Sequence, residues 1–382
     1  MLNDIKTRNL VFFEMILISM SAVSIPALIP TFQYQFGLSI SQSALIPIIS
    51  TVGGFLTNII LSFTASRIGL KKLNLLFLLS GLVGTAILAF SNDIFSFFVG
   101  IVINGIAIVV GLTNSSNIFA HLKKENQNYG FYHACFGIGG IIAPAIISVL
   151  LHQKYSYQYL FGFVFILYFF TFLIVAFSKI IQNTKYDFIK FTEAVSVLKK
   201  KYVSIVILIM VIYAGAEQGS LTWSGNLFAD GFGFTKGKAS LILSIFWVAF
   251  TFGRFVTFYA EKYIGQLRTV YIFTIATILF LVLLIFSQCS FFFIGIALSM
   301  SVVFPILQKY TAQRLTPKEV SLFNGLLYAA VNIGGVIISG SMGLIGDYSI
   351  RLSYIIPTIA NISIIFLILY LHNWNKKTGE YD

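Results

Sequence analysis

Residues 157–178 read YQYLFGFVFILYFFTFLIVAFS, a run of 22 residues without a single charged side chain. A helix that rises 1.5 Å per residue needs about 20 residues to cross a hydrocarbon core of about 30 Å. The stretch therefore predicts a membrane-spanning helix. Eleven further stretches of similar character predict spans at 9–32, 40–63, 73–92, 95–119, 129–151, 203–228, 238–260, 268–288, 290–308, 320–345 and 352–372.

The composition of the whole chain agrees with a polytopic membrane protein. Of its 382 residues, 58% are hydrophobic and only 10% are charged, against about 25% charged residues in an ordinary soluble domain. The net charge of +12 would suit a nucleic-acid binder if the chain were soluble. Here the basic residues flank apolar spans, so we expect the lipid bilayer as their partner and no nucleic acid.

The polar loops divide the chain and orient it. The longest polar interruption, 179–202, follows six spans and precedes six more, which predicts an N-terminal half at 1–178, a cytoplasmic linker and a C-terminal half at 203–382. When the loops are assigned alternately to two sides, twenty lysines and arginines fall on one side and four on the other. The positive-inside rule then places both termini in the cytoplasm of a multi-pass protein of the inner or plasma membrane. The apolar segment after Arg8 lacks a small-residue cleavage site, so we expect a retained first helix.

Two loops at equivalent places in the halves resemble each other. Residues 65–72 read ASRIGLKK and follow the second span, and residues 260–268 read AEKYIGQLR and follow the eighth. Each contains a small residue, a base, a glycine and a further base in the same order. The repeat indicates two related six-helix halves.

The layout and the first loop resemble the major facilitator superfamily of transporters. Residues 65–72 are similar to its loop 2–3 signature, glycine-x-x-x-aspartate-basic-x-glycine-x-basic-basic, with Ser66 in the place of the aspartate. The resemblance implies an all-α membrane fold of twelve helices in two halves, with substrate bound between the halves near the midplane. It also implies a gating or structural role for Arg67, Gly69 and Lys71. The alternative is a charged turn that only ends two helices.

Three further segments resemble the fucose/glucose(mannose)–proton symporter group within that superfamily. Residues 132–140, YHACFGIGG, with Pro144 resemble a stretch of helix 5 in that group. Residues 213–219, YAGAEQG, resemble helix 7 of its bacterial glucose/mannose members. The residues Phe246-Trp247 and Gly253-Arg254-Phe255 follow as in helix 8, with support from 325–347.

Ionisable residues inside spans are candidates for proton coupling, because a charge at the membrane centre costs about 2.5–3.5 kcal/mol. Glu217 lies about 14 residues into the seventh span, close to the midplane, and could take up and release a proton or hold helices together. Glu14 lies five or six residues into the first span, about 8 Å deep at 1.5 Å per residue, where water could reach it. His133, at a position where the resemblance implies a histidine, could titrate, bind a ligand or bond a carbonyl.

Arg254 and Glu261 receive a gating or structural interpretation. They lie seven residues apart in the eighth span, which places them two turns apart on one helix face. The default expectation for Arg254 is local pairing with Glu261.

The polar residues in and beside the spans include many amides, and they favour an uncharged, hydroxylated substrate. Amides both donate and accept hydrogen bonds, as sugar hydroxyls require, whereas anion transport would need more inward bases than Arg254. An exposed indole would offer a flat apolar face to a pyranose ring. The candidate substrate-binding residues are Gln218, Trp223, Asn226, Asn104, Asn324, Asn332 and Gln308. Some of these amides are expected to bond neighbouring helices instead.

Several function classes lack their sequence signatures. The chain contains neither a glycine-rich phosphate loop nor a His-Glu-x-x-His pair, which speaks against an ATP-driven pump and a membrane metalloprotease. The two cysteines, Cys135 and Cys289, give no metal-binding spacing. We therefore expect no enzyme activity, no cofactor and no metal.

Together these features predict a secondary active transporter, most simply a proton-coupled importer of a hexose or similar neutral polyol that works by alternating access as a monomer. A proton-antiport exporter of drugs or metabolites from the same superfamily is the main alternative. A uniporter in which Glu217 is structural, and a transport-inactive sensor or lipid scramblase on the same fold, also remain open.

Overall fold

A computed structural model of the protein describes residues 2–126, 129–181 and 191–378, and in these ranges the chain is helical without a β-strand. The described residues include twelve helical segments long and apolar enough to cross a membrane. The all-α fold class and the number of spans are therefore confirmed. The segments are Asp4–Phe36, Ile40–Thr57, Leu70–Phe90, Ile94–Phe119, Phe131–His152, Gln158–Phe177, Lys201–Thr222, Lys236–Ile264, Gln266–Ser287, Ser290–Ala312, Leu326–Gly346 and Ile350–Lys377.

The chain folds as two compact units. Unit 1 comprises Met1–Leu38, Leu45–Phe188 and Thr235–Ser244, and unit 2 comprises Ser39–Ala44, Ile189–Phe234 and Ile245–Asp382. Two short segments, at 39–44 and 235–244, thus group with a different unit from their neighbours in sequence. The predicted division at a linker of 179–202 stays a prediction.

Unit 1 is built from six long helices whose bounds follow the apolar runs. They are α1 (Leu2–Phe36), α3 (Leu45–Ile68), α4 (Leu70–Phe90), α5 (Ile94–Ala120), α6 (Tyr129–His152) and α7 (Gln158–Phe177), with a short 3₁₀ turn at Lys124–Asn126.

Helix α4 packs closely against both α5 and α7 because its glycines leave room for their neighbours. A Cβ added to Gly81 would collide with the ring of Tyr168 on α7, and one added to Gly84 would lie 2.7 Å from the backbone nitrogen of Asn104 on α5. Small residues in a span therefore mark where helices meet.

Unit 2 holds the remaining helices. They are α2 (Ile40–Ser43), α8 (Phe191–Leu198), α9 (Lys201–Thr222), α10 (Ser224–Asn226), α11 (Lys236–Ile264, whose first residues group with unit 1), α12 (Gln266–Ser287), α13 (Ser290–Met300), α14 (Val303–Ala312), α15 (Pro317–Gly346), α16 (Ile350–Ser353) and α17 (Ile355–Thr378). Helix α9 packs against α15 and α17, and α12 packs against α13 and α17.

The seventh span departs from the predicted continuous helix over 203–228. Regular α-helix ends at Thr222, and after the short turn α10 the chain forms a π-helix at Leu227–Gly231. The hydroxyl of Ser224 donates to the carbonyl of Leu221 at 2.8 Å, and the indole N–H of Trp223 donates to the carbonyl of Ser339 on α15 at 2.8 Å. These side-chain bonds compete with the helical pattern and draw the chain toward α15.

The two loops that resemble each other in sequence adopt the same backbone geometry. Gly69 precedes α4 with φ +87° and ψ 157°, and Gly265 precedes α12 with φ +84° and ψ 160°. In each loop the glycine carbonyl accepts the amide of the fourth residue on, Leu73 or Thr269, at 3.1 Å. A positive φ strains any residue with a Cβ, so the shared glycine has a structural reason.

Candidate functional site

Glu217 lies in the second half of α9, a helix that packs against α15 and α17. Gly215 and Gly219 face α15: a Cβ at Gly215 would lie 2.6 Å from Ile338, and one at Gly219 would lie 2.6 Å from the sulfur of Met342. Glu217 is two residues from each glycine, so its side chain projects from the other side of α9. The side chain is half-buried.

Two groups interact with the Glu217 carboxyl. Tyr213 lies one turn earlier on α9, and the guanidinium of Arg254 on α11 interacts with the carboxyl electrostatically. The Tyr213 hydroxyl is itself fixed, because it donates to the carbonyl of Met300 at the end of α13 at 2.9 Å. Residues Glu217, Tyr213 and Arg254, which we call the carboxyl cluster, thus join three helices of unit 2.

The expected pairing of Arg254 with Glu261 is wrong. Glu261 forms its ion pair with Lys309 of α14 at the end of the bundle. Arg254 instead interacts with Glu217, Tyr213 and Tyr328, and its guanidinium carbon lies 4.9 Å from the ring centroid of Phe250.

Three predicted amide positions lie on the helices that surround the carboxyl cluster. Gln218 follows Glu217 directly, and its side-chain oxygen packs against the backbone at Gly335 of α15. Asn332 on α15 donates to the carbonyl of Tyr328 in its own helix at 2.9 Å, and is half-buried. Gln308 on α14 is half-buried as well. The side chain of Asn324, also predicted to bind substrate, lies outside the described residues.

Three other predicted binding residues are enclosed by the protein. The Trp223 ring is fully buried against α15, so in this structure it serves packing and offers no open face to a pyranose. Asn226 is fully buried and donates to the carboxylate of Asp230 at 2.7 Å. Asn104 is fully buried in unit 1, and neither its amide nitrogen nor its amide oxygen has a hydrogen-bond partner among the described residues.

Glu14 is more enclosed than the sequence predicts. Helix α1 begins at Leu2 and not near residue 9, and the Glu14 side chain is 0% exposed. Its carboxyl oxygens bond the side-chain amide of Asn74 on α4 at 2.9 Å and the hydroxyl of Ser115 on α5 at 3.1 Å. The expectation that water reaches Glu14 directly is wrong, and the residue links three helices of unit 1.

His133 lies near the start of α6 and is half-buried. Its ring packs edge-on against Tyr132 with the centroids 5.1 Å apart. Tyr132 in turn stacks on Phe119 at 4.7 Å and shares a hydrogen bond with Ser116 at 2.9 Å. The structure thus ties this position to the end of α5, and a role in proton coupling stays a prediction.

The first turn of α4 makes a contact that the sequence did not reveal. The Lys71 ammonium donates to the carbonyl of Ser178 at 2.7 Å and reaches the carbonyl of Ala176 at 3.5 Å. These groups close the end of α7, where helical carbonyls have no internal partner. The Arg67 side chain lies outside the described residues, whereas Gly69 forms the turn described above.

Sequence reasoning found Glu217 but missed the groups that define its surroundings. Tyr213 could have been found, since it lies four residues earlier on the same helix face. The Met300 carbonyl and Tyr328 carry no signal in the sequence, because only packing brings them near. In the part of the chain that the structure describes, no group of three or more histidine, cysteine, aspartate or glutamate residues could hold a metal ion.

Twelve apolar spans and a half-buried carboxyl cluster within them define a multi-pass membrane protein whose polar groups lie inside the apolar region. The model of the Major Facilitator Superfamily matches the chain at residues 10–302 and again at 206–380. The chain belongs to the Major Facilitator Superfamily, and it is a transporter and not an enzyme.

Individual relatives are distant. The chain is 22% identical over 275 residues to the Protein TsgA homolog of Buchnera aphidicola subsp. Schizaphis graminum (strain Sg), which covers 70% of this chain and 69% of that protein. Among solved structures, a mutant of the nucleoside transporter NupG has a TM-score of 0.76 at 15% identity, covering 97% of this chain and 99% of that one.

Two sugar transporters share the same fold. The fucose:proton symporter FucP of E. coli has a TM-score of 0.67 at 16% identity and covers 95% of this chain and 98% of that one. A D-xylose–proton symporter has a TM-score of 0.76 at 12% identity and covers 96% of each chain. At such low identities these likenesses show the fold alone.

Proposed function

We propose that the protein is a proton-coupled importer of a hexose or a similar neutral polyol that works by alternating access, with Glu217 as the group that takes up and releases the proton. The observation that carries this proposal is the place of Glu217 inside a span, beside Tyr213 and the positive charge of Arg254.

Tyr213 has a single hydroxyl proton, and a carbonyl oxygen only accepts hydrogen bonds. The proton therefore lies on the bond from Tyr213 to Met300, which measures 2.9 Å. The Tyr213 oxygen can still accept a hydrogen bond, so a protonated, neutral Glu217 can donate to it.

The ionised state of Glu217 also has a partner. When the proton leaves, the carboxylate is in electrostatic contact with the guanidinium of Arg254. A proton-coupling group needs protonated and ionised states of comparable free energy. Only then can the difference in affinity of a ligand for two conformations shift the balance between these states. Tyr213 suits one state of Glu217 and Arg254 suits the other, which supports a protonatable switch over a purely structural acid.

The substrate proposal rests on the chemistry around the carboxyl cluster. Gln218 and Asn332 supply amide groups on α9 and α15, and amides suit hydroxylated solutes because they donate and accept. The solved structures with the same fold include transporters of fucose, xylose and nucleosides, whose substrates are rich in hydroxyl groups. A neutral substrate does not compete with the Glu217 carboxylate for the positive charge of Arg254.

The membrane and the orientation follow from charge. The excess of basic residues on alternate loops supports an inner or plasma membrane with both termini in the cytoplasm. An inward proton then gains about 2.3 kcal/mol per 100 mV, enough for about 50-fold accumulation of a neutral solute per proton before any pH gradient is added.

The test is counterflow and accumulation of radiolabelled hexoses in proteoliposomes, with the wild type beside Glu217→Gln. The proposal predicts that both exchange hexose across the membrane, and that only the wild type accumulates it when an inward proton gradient is imposed. Glu319→Gln is the matched control, since Glu319 lies outside the spans and pairs with Lys200 at 2.9 Å; it should behave as the wild type.

Two results would overturn parts of the proposal. If folded wild-type protein exchanges no hexose or polyol, the substrate assignment is wrong, and the antiporter that exports drugs or metabolites becomes the better account. If Glu217→Gln accumulates hexose as the wild type does, Glu217 is structural and the protein is a uniporter or couples through another group.

A further inference from the structure

Basic and aromatic side chains come together where α9 begins and α17 ends. Lys201 is the first residue of α9, and its ammonium lies 5.1 Å from the ring centroid of Tyr370 on α17. Tyr370, Trp374 and Lys377 follow one another at spacings of four and three residues, which places them on one face of α17. Lys201, Tyr370, Trp374 and Lys377 are called the basic–aromatic surface below.

The basic–aromatic surface is open. Lys201 and Lys377 are exposed, Tyr370 is 47% exposed, and Trp374 is half-buried. An apolar core position would not leave an indole and a phenol so accessible beside two ammonium groups. The surface is therefore available to a ligand from outside the protein.

Hydrogen bonds hold the residues beneath the basic–aromatic surface in place. Tyr202 is buried, its ring lies 6.0 Å from that of Trp374, and its hydroxyl donates to the carbonyl of Arg314 at 3.0 Å. The Tyr310 hydroxyl donates to the side-chain oxygen of Asn375 at 2.8 Å. These bonds fix the ends of α9, α14 and α17 against one another, so the surface lysines start from an ordered frame.

The positive charge of the surface is not neutralised by the protein in the ranges that the structure describes. Glu319 pairs with Lys200 and Glu261 pairs with Lys309. Neither Lys201 nor Lys377 forms an ion pair with a described residue. Among the described residues, this positive charge is therefore open to an anion.

The position of the surface selects the kind of anion. The candidate span that contains α9 begins at Lys201, and the last candidate span ends at Lys377. Lysines at the ends of spans are expected near the lipid headgroups. Tyrosine and tryptophan prefer this level, and basic residues beside a span attract anionic lipids. A soluble anion would gain nothing from the half-exposed Tyr370 and Trp374, whereas a lipid can cover both with its glycerol and upper acyl chains.

We propose that the basic–aromatic surface binds an anionic phospholipid, with Lys201 and Lys377 on the headgroup phosphate and with Tyr370 and Trp374 against the glycerol region. The site involves unit 2 alone and does not depend on the substrate or on proton coupling.

The test measures binding of phosphatidylglycerol to the purified full-length protein in detergent, by native mass spectrometry and by the lipid-dependent rise in thermal unfolding temperature, with phosphatidylcholine as the neutral reference. The double variant Lys201→Gln/Lys377→Gln should bind phosphatidylglycerol about 30-fold more weakly, about fivefold per lysine. Its unfolding temperature in phosphatidylcholine should equal that of the wild type.

A closely matched control is Lys262→Gln. Lys262 is also an exposed lysine at the end of a span, 5.9 Å from the ring of its neighbour Tyr263, but it lacks the facing helix and the indole. This variant should keep the full affinity for phosphatidylglycerol. If the double variant does not fold, Lys377→Gln alone should lower the affinity about fivefold.

Three outcomes would overturn the proposal. The first is an unchanged affinity for phosphatidylglycerol in the double variant. The second is an equal loss in Lys262→Gln, which would reduce the effect to net charge. The third is equal stabilisation of the wild type by soluble glycerol phosphate at the same concentration, which would make the site one for a free anion and not for a lipid.

Discussion

Tyr213 and Glu217 lie one turn apart on α9, and the hydroxyl of Tyr213 donates its only proton to the carbonyl of Met300 at 2.9 Å. A tyrosine oxygen whose proton is engaged elsewhere can still accept a hydrogen bond. It therefore favours a neighbour that carries a proton. This relationship ties the chemistry of one side chain to the packing of α9 against the end of α13.

The first prediction concerns the contact between α9 and α15. A Cβ at Gly215 would lie 2.5 Å from the carbonyl oxygen of Gly334 and 2.6 Å from Ile338, so Gly215→Ala should destabilise the protein by about 1–3 kcal/mol. Thermal unfolding in detergent measures the change. Gly162→Ala is the control, since nothing lies within 4 Å of a Cβ at this helical glycine. Equal stability of the two variants would contradict the close approach of α9 and α15.

The second prediction separates structure from coupling at Glu14. Glu14→Ala leaves the buried Asn74 and Ser115 side chains without their partner, and should cost about 2–4 kcal/mol in stability. Glu14→Gln keeps an oxygen for Asn74 and a donor for Ser115, and should unfold near the wild-type temperature. Proton-driven accumulation by Glu14→Gln then decides the predicted coupling role: full accumulation means that Glu14 only links helices, and loss of accumulation means that it carries protons.

The third prediction concerns the end of α7. Lys71→Met removes the ammonium that binds the carbonyl of Ser178 at 2.7 Å, and should destabilise the protein by about 0.5–1.5 kcal/mol. The neighbouring Lys72 is exposed, so Lys72→Met serves as the control and should have little effect. The two variants are compared by thermal unfolding. If Lys72→Met costs as much as Lys71→Met, the loss is one of net charge and not of the carbonyl contact.

The fourth prediction tests the orientation through the two cysteines. Cys289 is exposed between α12 and α13, and Cys135 is buried in α6. With the termini in the cytoplasm, the loop that contains Cys289 faces outward. A membrane-impermeant maleimide should therefore label intact cells at Cys289 and not at Cys135, and Cys289→Ser should abolish the signal.

The matched control places a cysteine at the other side. In the Cys289→Ser background, Lys376→Cys introduces a thiol at an exposed position near the end of α17. It should be labelled only after the membrane is permeabilised. Labelling of Lys376→Cys in intact cells, with Cys289 protected in the wild type, would reverse the orientation.

The spans could be predicted from sequence because a membrane imposes a simple length requirement on apolar helices. The glycine turns were predictable for a related reason: Gly69 and Gly265 occupy equivalent places, and only glycine adopts their positive φ without strain. The depth of Glu217 close to the midplane stays a prediction.

The details of the site were less accessible because they depend on which helices are neighbours. Arg254 was expected to pair along its own helix with Glu261, but Lys309 from α14 takes that partner. The burial of Trp223 depends on the carbonyl of Ser339, 116 residues away. The burial of Glu14 depends on α4 and α5, which bring Asn74 and Ser115 to its carboxyl group.

The most direct test of the central claim is substrate-driven proton movement in proteoliposomes that contain a trapped pH-sensitive dye. The substrate is a hexose or polyol that both the wild type and Glu217→Gln exchange in counterflow. Adding it outside, with no gradient imposed, should acidify the interior of wild-type vesicles, and should leave Glu217→Gln vesicles unchanged although the substrate still enters. Acidification by Glu217→Gln equal to that by the wild type would contradict the role of Glu217 as the proton carrier.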